Sequence, residues 1–281
     1  MNPRAHLASG LALLLTVTLA GCTPSAPFAD DQATEGEAFV GHVHGLGVNP
    51  ADGVLYVAAH GGVFQLQDQR LQLVAGRAQD TMGFTVAGPN HFLGSGHPDP
   101  TDRSQPVHLG LVESRDAAQT WTPLSLAGAA DFHALDQGVD ALYGYDSQTS
   151  QVLRTRNQQD WEPVLAAEVS DLAAHPTDPG LLLTVTPDGL LRTDRNGRTT
   201  ELPEPTGLQQ IEWPTPNLLL GISSNGGLYE STDQGRSWTL LSRLPDSQVQ
   251  AFDATGDAWH LFTDQGLYTS PDRGTTWHQL L

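Results

Sequence analysis

The chain has 281 residues and not one lysine; its 13 basic residues are all arginines, set against 32 Asp and Glu. A surface with that balance repels phosphate backbones and anionic headgroups, so a nucleic-acid partner is not expected. Cysteine is almost as scarce. Cys22 stands alone, which excludes an intrachain disulfide and leaves the fold to be stabilised by packing. Helical periodicity is missing too: no stretch repeats its apolar residues at i, i+3, i+4 and i+7, which argues against helical fold classes.

The N-terminus carries a sorting signal. Arg4 precedes an apolar stretch at 11–20 that is too short for a membrane span, and then comes Leu19-Ala20-Gly21-Cys22. That ending resembles a lipobox, whose cysteine is diacylated and becomes the new N-terminus. Residues 1–21 are read as a lipoprotein signal peptide, and the protein is expected to be exported and held at a membrane of the cell envelope by lipid on Cys22. Its removal leaves 12 arginines against 32 acids, a formal charge of −20. Residues 22–38 are rich in Pro, Ala and acids and read as a flexible tether. The folded part is expected to span 39–281 and to be monomeric.

What is abundant is repetition. Ser231-Thr-Asp233-Gln-Gly235-Arg-Ser237-Trp238 recurs as Ser270-Pro-Asp272-Arg-Gly274-Thr-Thr276-Trp277. Stepping back from Trp238 meets Thr199 behind Asp194, then Trp161, then Trp121 behind Asp116, and last Leu73 behind Asp68. The steps are 48, 40, 38, 39 and 39 residues, the long one absorbing an insertion around 94–108. Ahead of each copy stands an apolar run of strand length, as in Leu218-Leu-Leu-Gly-Ile222. A turn and a second strand follow, as at Gly62, Gly189, Gly227 and Gly266. A more polar strand precedes each run. One unit is thus a four-stranded antiparallel sheet, with strands a, b, c and d in chain order. In the turn between c and d, Asp233 and Asp272 can accept backbone N–H bonds, Gly235 and Gly274 permit a positive φ, and Trp238 and Trp277 can pack on the sheet.

These units resemble the BNR/Asp-box repeats of bacterial sialidases, sortilin-type receptors and propeller-type photosystem II assembly factors. The resemblance covers about 39–281, two copies being near-complete. It implies an all-β, six-bladed β-propeller, with seven blades as the alternative. It also implies that strand a lines a central channel and that the d–a and b–c connections share a top face where functional sites lie. The Asp-box turns, on the opposite face, would be structural.

Histidine follows that map. Of the 11 histidines, seven lie between 42 and 133, and six of these fall on top-face positions of the first three blades. They are His42 and His44 opening one strand a, His60 closing strand b, His97 and His108 around the insertion, and His133 opening another strand a. Aligning His44-Gly-Leu with Met82-Gly-Phe and His133-Ala-Leu puts His44, Met82 and His133 in one column; the other blades show Ser170, Gln209 and Gln250. With Asp131 these residues are the candidate metal ligands, Met82 favouring copper and an imidazole–carboxylate set favouring zinc. A wet channel lined by histidine and a substrate cleft are the competing readings. An enzyme would differ in kind. A sialidase needs an arginine cluster for the substrate carboxylate, yet no strand a carries an arginine. A glycoside hydrolase would draw its carboxylates from Asp80, Asp99, Asp131 and Asp171. The reading favoured is a non-catalytic, surface-tethered binding or sensing propeller. As a test of the anchor, the exported protein should partition into the detergent phase of Triton X-114 and its Cys22→Ser variant into the aqueous phase; equal partitioning would disprove lipidation.

Overall fold

The computed structural model describes residues 40–245 and 248–281. Cys22, the signal segment 1–21 and the whole tether 22–38 lie outside them. Twenty-four strands form six separate four-stranded antiparallel sheets, each built from consecutive chain. The first blade is β1 (Val43–Val48), β2 (Leu55–Ala59), β3 (Gly62–Gln67) and β4 (Arg70–Leu73). The others begin at β5 (Asp80–Gly88), β9 (Phe132–Gln137), β13 (Asp171–Ala174), β17 (Leu208–Thr215) and β21 (Val249–Asp253). Each of these first strands neighbours the next, and β21 neighbours β1, so six blades close a ring. Seven blades are thereby ruled out. Among the described residues the only helix is a single 3-10 turn at Val74–Gly76.

The hydrophobic residues of each sheet are buried against the next sheet. Six core clusters result, one at every junction between adjacent blades, the junction of the sixth with the first included. That last junction packs Ala251 and Leu267 against Val43, Leu46 and Phe64. Among the described residues no strand is exchanged between the first and last blades. Closure rests on packing and on side-chain bonds between first strands.

Those bonds have a common origin. A first strand pairs with its neighbour along one edge only, and its other edge faces the channel. Asp136 accepts the N–H of Ala174 at 2.6 Å, Asp171 that of Ile211 at 2.8 Å, and Gln250 that of Val43 at 2.8 Å. Gln210 donates to the carbonyl of Gln250 at 2.8 Å, and Ser95 accepts the N–H of Phe132 at 3.0 Å. At the junction of the first two blades Asn49 and Asn90 exchange two bonds of 2.9 Å.

At the opposite rim the Asp-box turns repeat one bonding pattern. Ser231 donates to Asp233 and accepts the N–H of Gly235, while Asp233 accepts both the N–H and the hydroxyl of Ser237. Ser270, Asp272, Gly274 and Thr276 do the same, and so do Ser114, Asp116, Ala118 and Thr120. Gly235 has φ +83° and Gly274 φ +79°, whereas Ala118 holds φ +66° without glycine's freedom. The bonds from Ser237 hold the Asp233 carboxyl down at about 2. In the blade of Trp161, Asn157 replaces the aspartate and accepts from Gln159 and Asp160. In the fourth blade Asp194 accepts from Asn196 and Arg198. The first blade has a two-residue hairpin instead, with Asp68 and Gln69 both at positive φ. Trp121 and Trp238 pack at equivalent places, over Gly94 and Gly221, whereas Trp161 stacks on Phe132 of β9 with centroids 4.6 Å apart and Trp277 lies against Phe252 of β21.

Burial pushes the channel-side carboxyls up, Asp136 to about 6 and Asp171 to about 7, and Glu212 goes well up by burial and by the charges of Asp253, Asp136 and Asp171. A carboxyl raised in the fold keeps a proton that the unfolded chain loses at about pH 4, so its contribution falls as pH rises from there through the folded value. Asp171→Asn keeps one acceptor for the Ile211 N–H. Its melting temperature, relative to the parent, should therefore improve between pH 5 and pH 8; a difference independent of pH would show that Asp171 is ionised throughout.

Candidate metal centre

The top face is organised by one backbone irregularity repeated around the ring. Registers slip between Val43 and Gly45, Thr81 and Gly83, Leu208 and Gln210, and Val249 and Ala251, leaving His44, Met82, Gln209 and Gln250 as the extra residues of β-bulges. In the third blade Phe132 and Ala134 face Asp146 and Tyr145, so His133 is the extra residue. In the fourth, Ser170 donates to the carbonyl of Val185, which Asp171 already faces. The column aligned from sequence is thus a column of bulges. A bulge re-aims its side chain, and here it does so at the mouth of the channel.

Two further columns flank it. Two residues before the bulge stand His42, Asp80 and Asp131, and just past the end of the second strand, or at its last residue, stand His60, His97 and Ser147. The same bond marks the position: His60 N–H to His42 carbonyl and Ser147 N–H to Asp131 carbonyl, both 3.0 Å, with Asp80 facing His97 between them. Gly96, at φ +137°, lets the second strand close on the Asp80 carbonyl where a Cβ would collide. His108 comes from the loop between β6 (His91–His97) and β7 (Leu111–Ser114). Strand β6 runs further than the sequence suggested, so the insertion begins after His97 and not at 94.

Two groups of donors form in this frame. His44, His60 and Asp80 make one, and His97, His108 and Asp131 the other; within each, one ligand atom per residue lies within 4.8 Å of the others. Tetrahedral zinc, with bonds of about 2.0 Å, sets ligand atoms about 3.3 Å apart, a difference that small side-chain rotations close. His42 packs edge-on to His44 at 5.0 Å and lies 6.0 Å from His60, outside the first group. The strand alternation that puts His42 and His44 on one face is broken by the bulge at His44. His133 lies outside the second group but touches it, its Nε2 3.1 Å from Asp131 Oδ2, and Ser147 donates to the same oxygen at 3.2 Å. Met82 holds the middle bulge, between those of His44 and His133.

Electrostatics keep the donors available. Burial, and then the neighbouring imidazoles of His60, His42, His133 and His97, push His44 down to about 3, so its ring is neutral at any physiological pH. Burial and His60 lower His42. At Asp131 burial pulls upward, yet the bond from His133 and the imidazoles of His133, His97 and His108 outweigh it and the carboxyl ends below its ordinary value. Four buried atoms here have no hydrogen-bond partner in the protein: His44 Nε2, Asp80 Oδ1, His108 Nδ1 and Asp131 Oδ1. They are one nitrogen and one oxygen from each group. Orphaned buried polar atoms require an explanation, and an ion bound between them is one.

Asp80 is the residue the sequence reading missed as a ligand, having placed it only among glycosidase carboxylates. Those four carboxylates are all engaged. Asp80 and Asp131 face imidazoles, Asp99 accepts from Ala78 and Thr101, and Asp171 from Ile211 and Leu172.

No protein-family profile matches the chain, and no curated protein matches it in sequence. Solved structures do. A GH74 enzyme from Niastella koreensis superposes with a TM-score of 0.57 at 17% identity, over 85% of this chain and 37% of that one. Virginiamycin B lyase from Staphylococcus aureus gives 0.56 at 10% identity, over 85% and 84%. YCF48 from Cyanidioschyzon merolae gives 0.55 at 10% identity, over 80% and 94%. The chain spans little more than a third of the GH74 enzyme's length. The protein is a six-bladed β-propeller structurally like these. At such identities the likeness concerns the fold, which here includes enzymes and YCF48 alike.

Arginine is absent from every first strand, and several arginines are held in ion pairs, Arg115 with Glu113, Arg154 and Arg156 with Glu162, and Arg195 with Asp178. The purified protein should accordingly leave a fluorogenic sialoside intact. Turnover that disappears on mutating Asp80 or Asp131 would overturn that expectation.

Proposed function

We propose that the protein is a non-catalytic binding propeller, tethered to the cell envelope through Cys22, that takes a transition-metal ion, zinc or copper, at the top of its channel. The observation that supports this best is the convergence, twice over, of two imidazoles and one carboxylate whose ligand atoms lie within 4.8 Å of one another. Imidazole with one carboxylate suits Zn2+ and Cu2+, whereas Ca2+ and Mg2+ prefer sites made wholly of oxygen. The strongly acidic surface raises the local concentration of any cation. A glycoside hydrolase is the rival function; of the top-face carboxylates it would use, Asp99 and Asp171 accept backbone N–H groups, and Asp80 and Asp131 stand among imidazoles.

Calorimetric titration of the chelator-stripped protein with Zn2+ and with Cu2+ at neutral pH tests the proposal. Saturable binding tighter than about 10 μM is expected, and His44→Ala combined with His108→Ala should abolish it. Absence of saturable binding, or binding unaltered in the double variant, would return these histidines to a polar channel lining.

A further inference from the structure

The geometry points to a binuclear centre: two ions, one in each donor group, coupled through the contact between Asp80 and His97. This rests on the metal-binding reading above and extends it.

Asp80 turns its two oxygens in different directions. Oδ1 lies 3.8 Å from His44 Nε2 in the first group, and Oδ2 lies 3.3 Å from His97 Nδ1. His97 in turn uses both ring nitrogens. While Nδ1 meets Asp80, Nε2 lies 3.7 Å from Asp131 Oδ2 in the second group. The lone pairs of an imidazole diverge in the ring plane, so Nδ1 and Nε2 cannot ligate one ion. A single ion therefore cannot gather both groups through this residue. If Nε2 ligates an ion beside Asp131 and His108, Nδ1 carries the proton and donates it to Asp80 Oδ2. That is the carboxylate–histidine–metal arrangement by which an outer carboxylate fixes the tautomer and orientation of a ligating histidine. Asp80 then serves twice, as a ligand of the first ion through Oδ1 and as the positioning partner of the second ion's histidine through Oδ2.

The blade repeat accounts for the duplication. Asp80 and Asp131 hold the same column on consecutive blades, and His60 and His97 share the next. Each group takes the histidine ending one blade's second strand and the aspartate two residues before the next blade's bulge. The third donor differs, His44 from a bulge in one and His108 from the insertion in the other. Each group also includes one buried imidazole nitrogen and one buried carboxylate oxygen without a hydrogen-bond partner in the protein, His44 Nε2 and Asp80 Oδ1 in the first and His108 Nδ1 and Asp131 Oδ1 in the second.

The test uses the full-length chain in detergent, stripped with a chelator and loaded with Zn2+, with bound metal counted by elemental analysis after desalting. The parent should hold two ions per chain. His60→Ala and His108→Ala, both in accessible loops, should each hold one, and the two together none, with unchanged melting temperatures in chelator. Asp80→Asn separates the roles. It should lose the first ion and weaken the second by about 10- to 100-fold, whereas His60→Ala should leave the second ion's affinity as it was. With Cu2+, the fully loaded parent should show an electron paramagnetic resonance spectrum broadened by dipolar coupling, and both single variants a narrow one. One ion per parent chain, lost in either single variant, would overturn the binuclear centre while leaving metal binding intact. An Asp80→Asn protein whose second site matches that of His60→Ala would overturn the coupling. No metal in the parent would overturn both readings.

Discussion

A sheet whose innermost strand has one unpaired edge must find partners for that edge, and this requirement organises the whole ring. The partners are side chains of neighbouring first strands: Asp136 for Ala174, Asp171 for Ile211, Gln250 for Val43. Each such bond crosses a junction between blades, so the groups that satisfy the backbone also set the spacing of the blades. Hydrophobic burial supplies the bulk of the cohesion at those junctions, but apolar contact has no direction. The directional bonds fix which residue faces which across the channel. The elevated carboxyls of Asp136 and Asp171 are the cost of placing acceptors there.

The bulge near the start of each first strand belongs to the same scheme. It shows as a slip of register in five blades, at His44, Met82, His133, Gln209 and Gln250, and in the fourth Ser170, just ahead of the strand, donates to the Val185 carbonyl at the corresponding place. In the later blades its residue is used for the ring itself: Gln250 binds Val43, and Ser170 donates to the Gln209 carbonyl. In the first three blades that backbone position presents imidazole or thioether. All the blades therefore share one scaffold, and what distinguishes the first three at this position is the side chain that it carries.

Much of this was legible in the sequence. Tryptophan, glycine and aspartate at fixed intervals reveal the period, because a turn that needs Gly235 and a sheet that needs Trp238 tolerate few substitutes. Degenerate copies were harder: Asn157 can stand for aspartate, and the hairpin at Asp68 uses a different turn altogether. The histidine columns were also visible, since equivalent positions in a repeat are equivalent places in space. Register was not. Nothing in Val43-His44-Gly45 announces a bulge, and strict alternation finds His42 beside His44 but not the approach of His60 and Asp80 to the same ring. Asp80 itself was read by type, as one carboxylate among several, because only the approach of His97 at the end of the neighbouring strand shows what it faces.

Because every blade is made of contiguous chain, the ring has five junctions bridged by a peptide connection and one that is not, between the last blade and the first. That seam is where a closed ring is mechanically weakest. The histidines and aspartates of the top face lie on the other side of the first blade, at its junction with the second and at the junction of the second with the third. Strain at the seam bears on Val43, which stands between His42 and His44 and whose N–H is held by Gln250 across it, so a loosening of the ring at its one unbridged junction reaches the first cluster of imidazoles directly and the second only by way of Asp80 and His97.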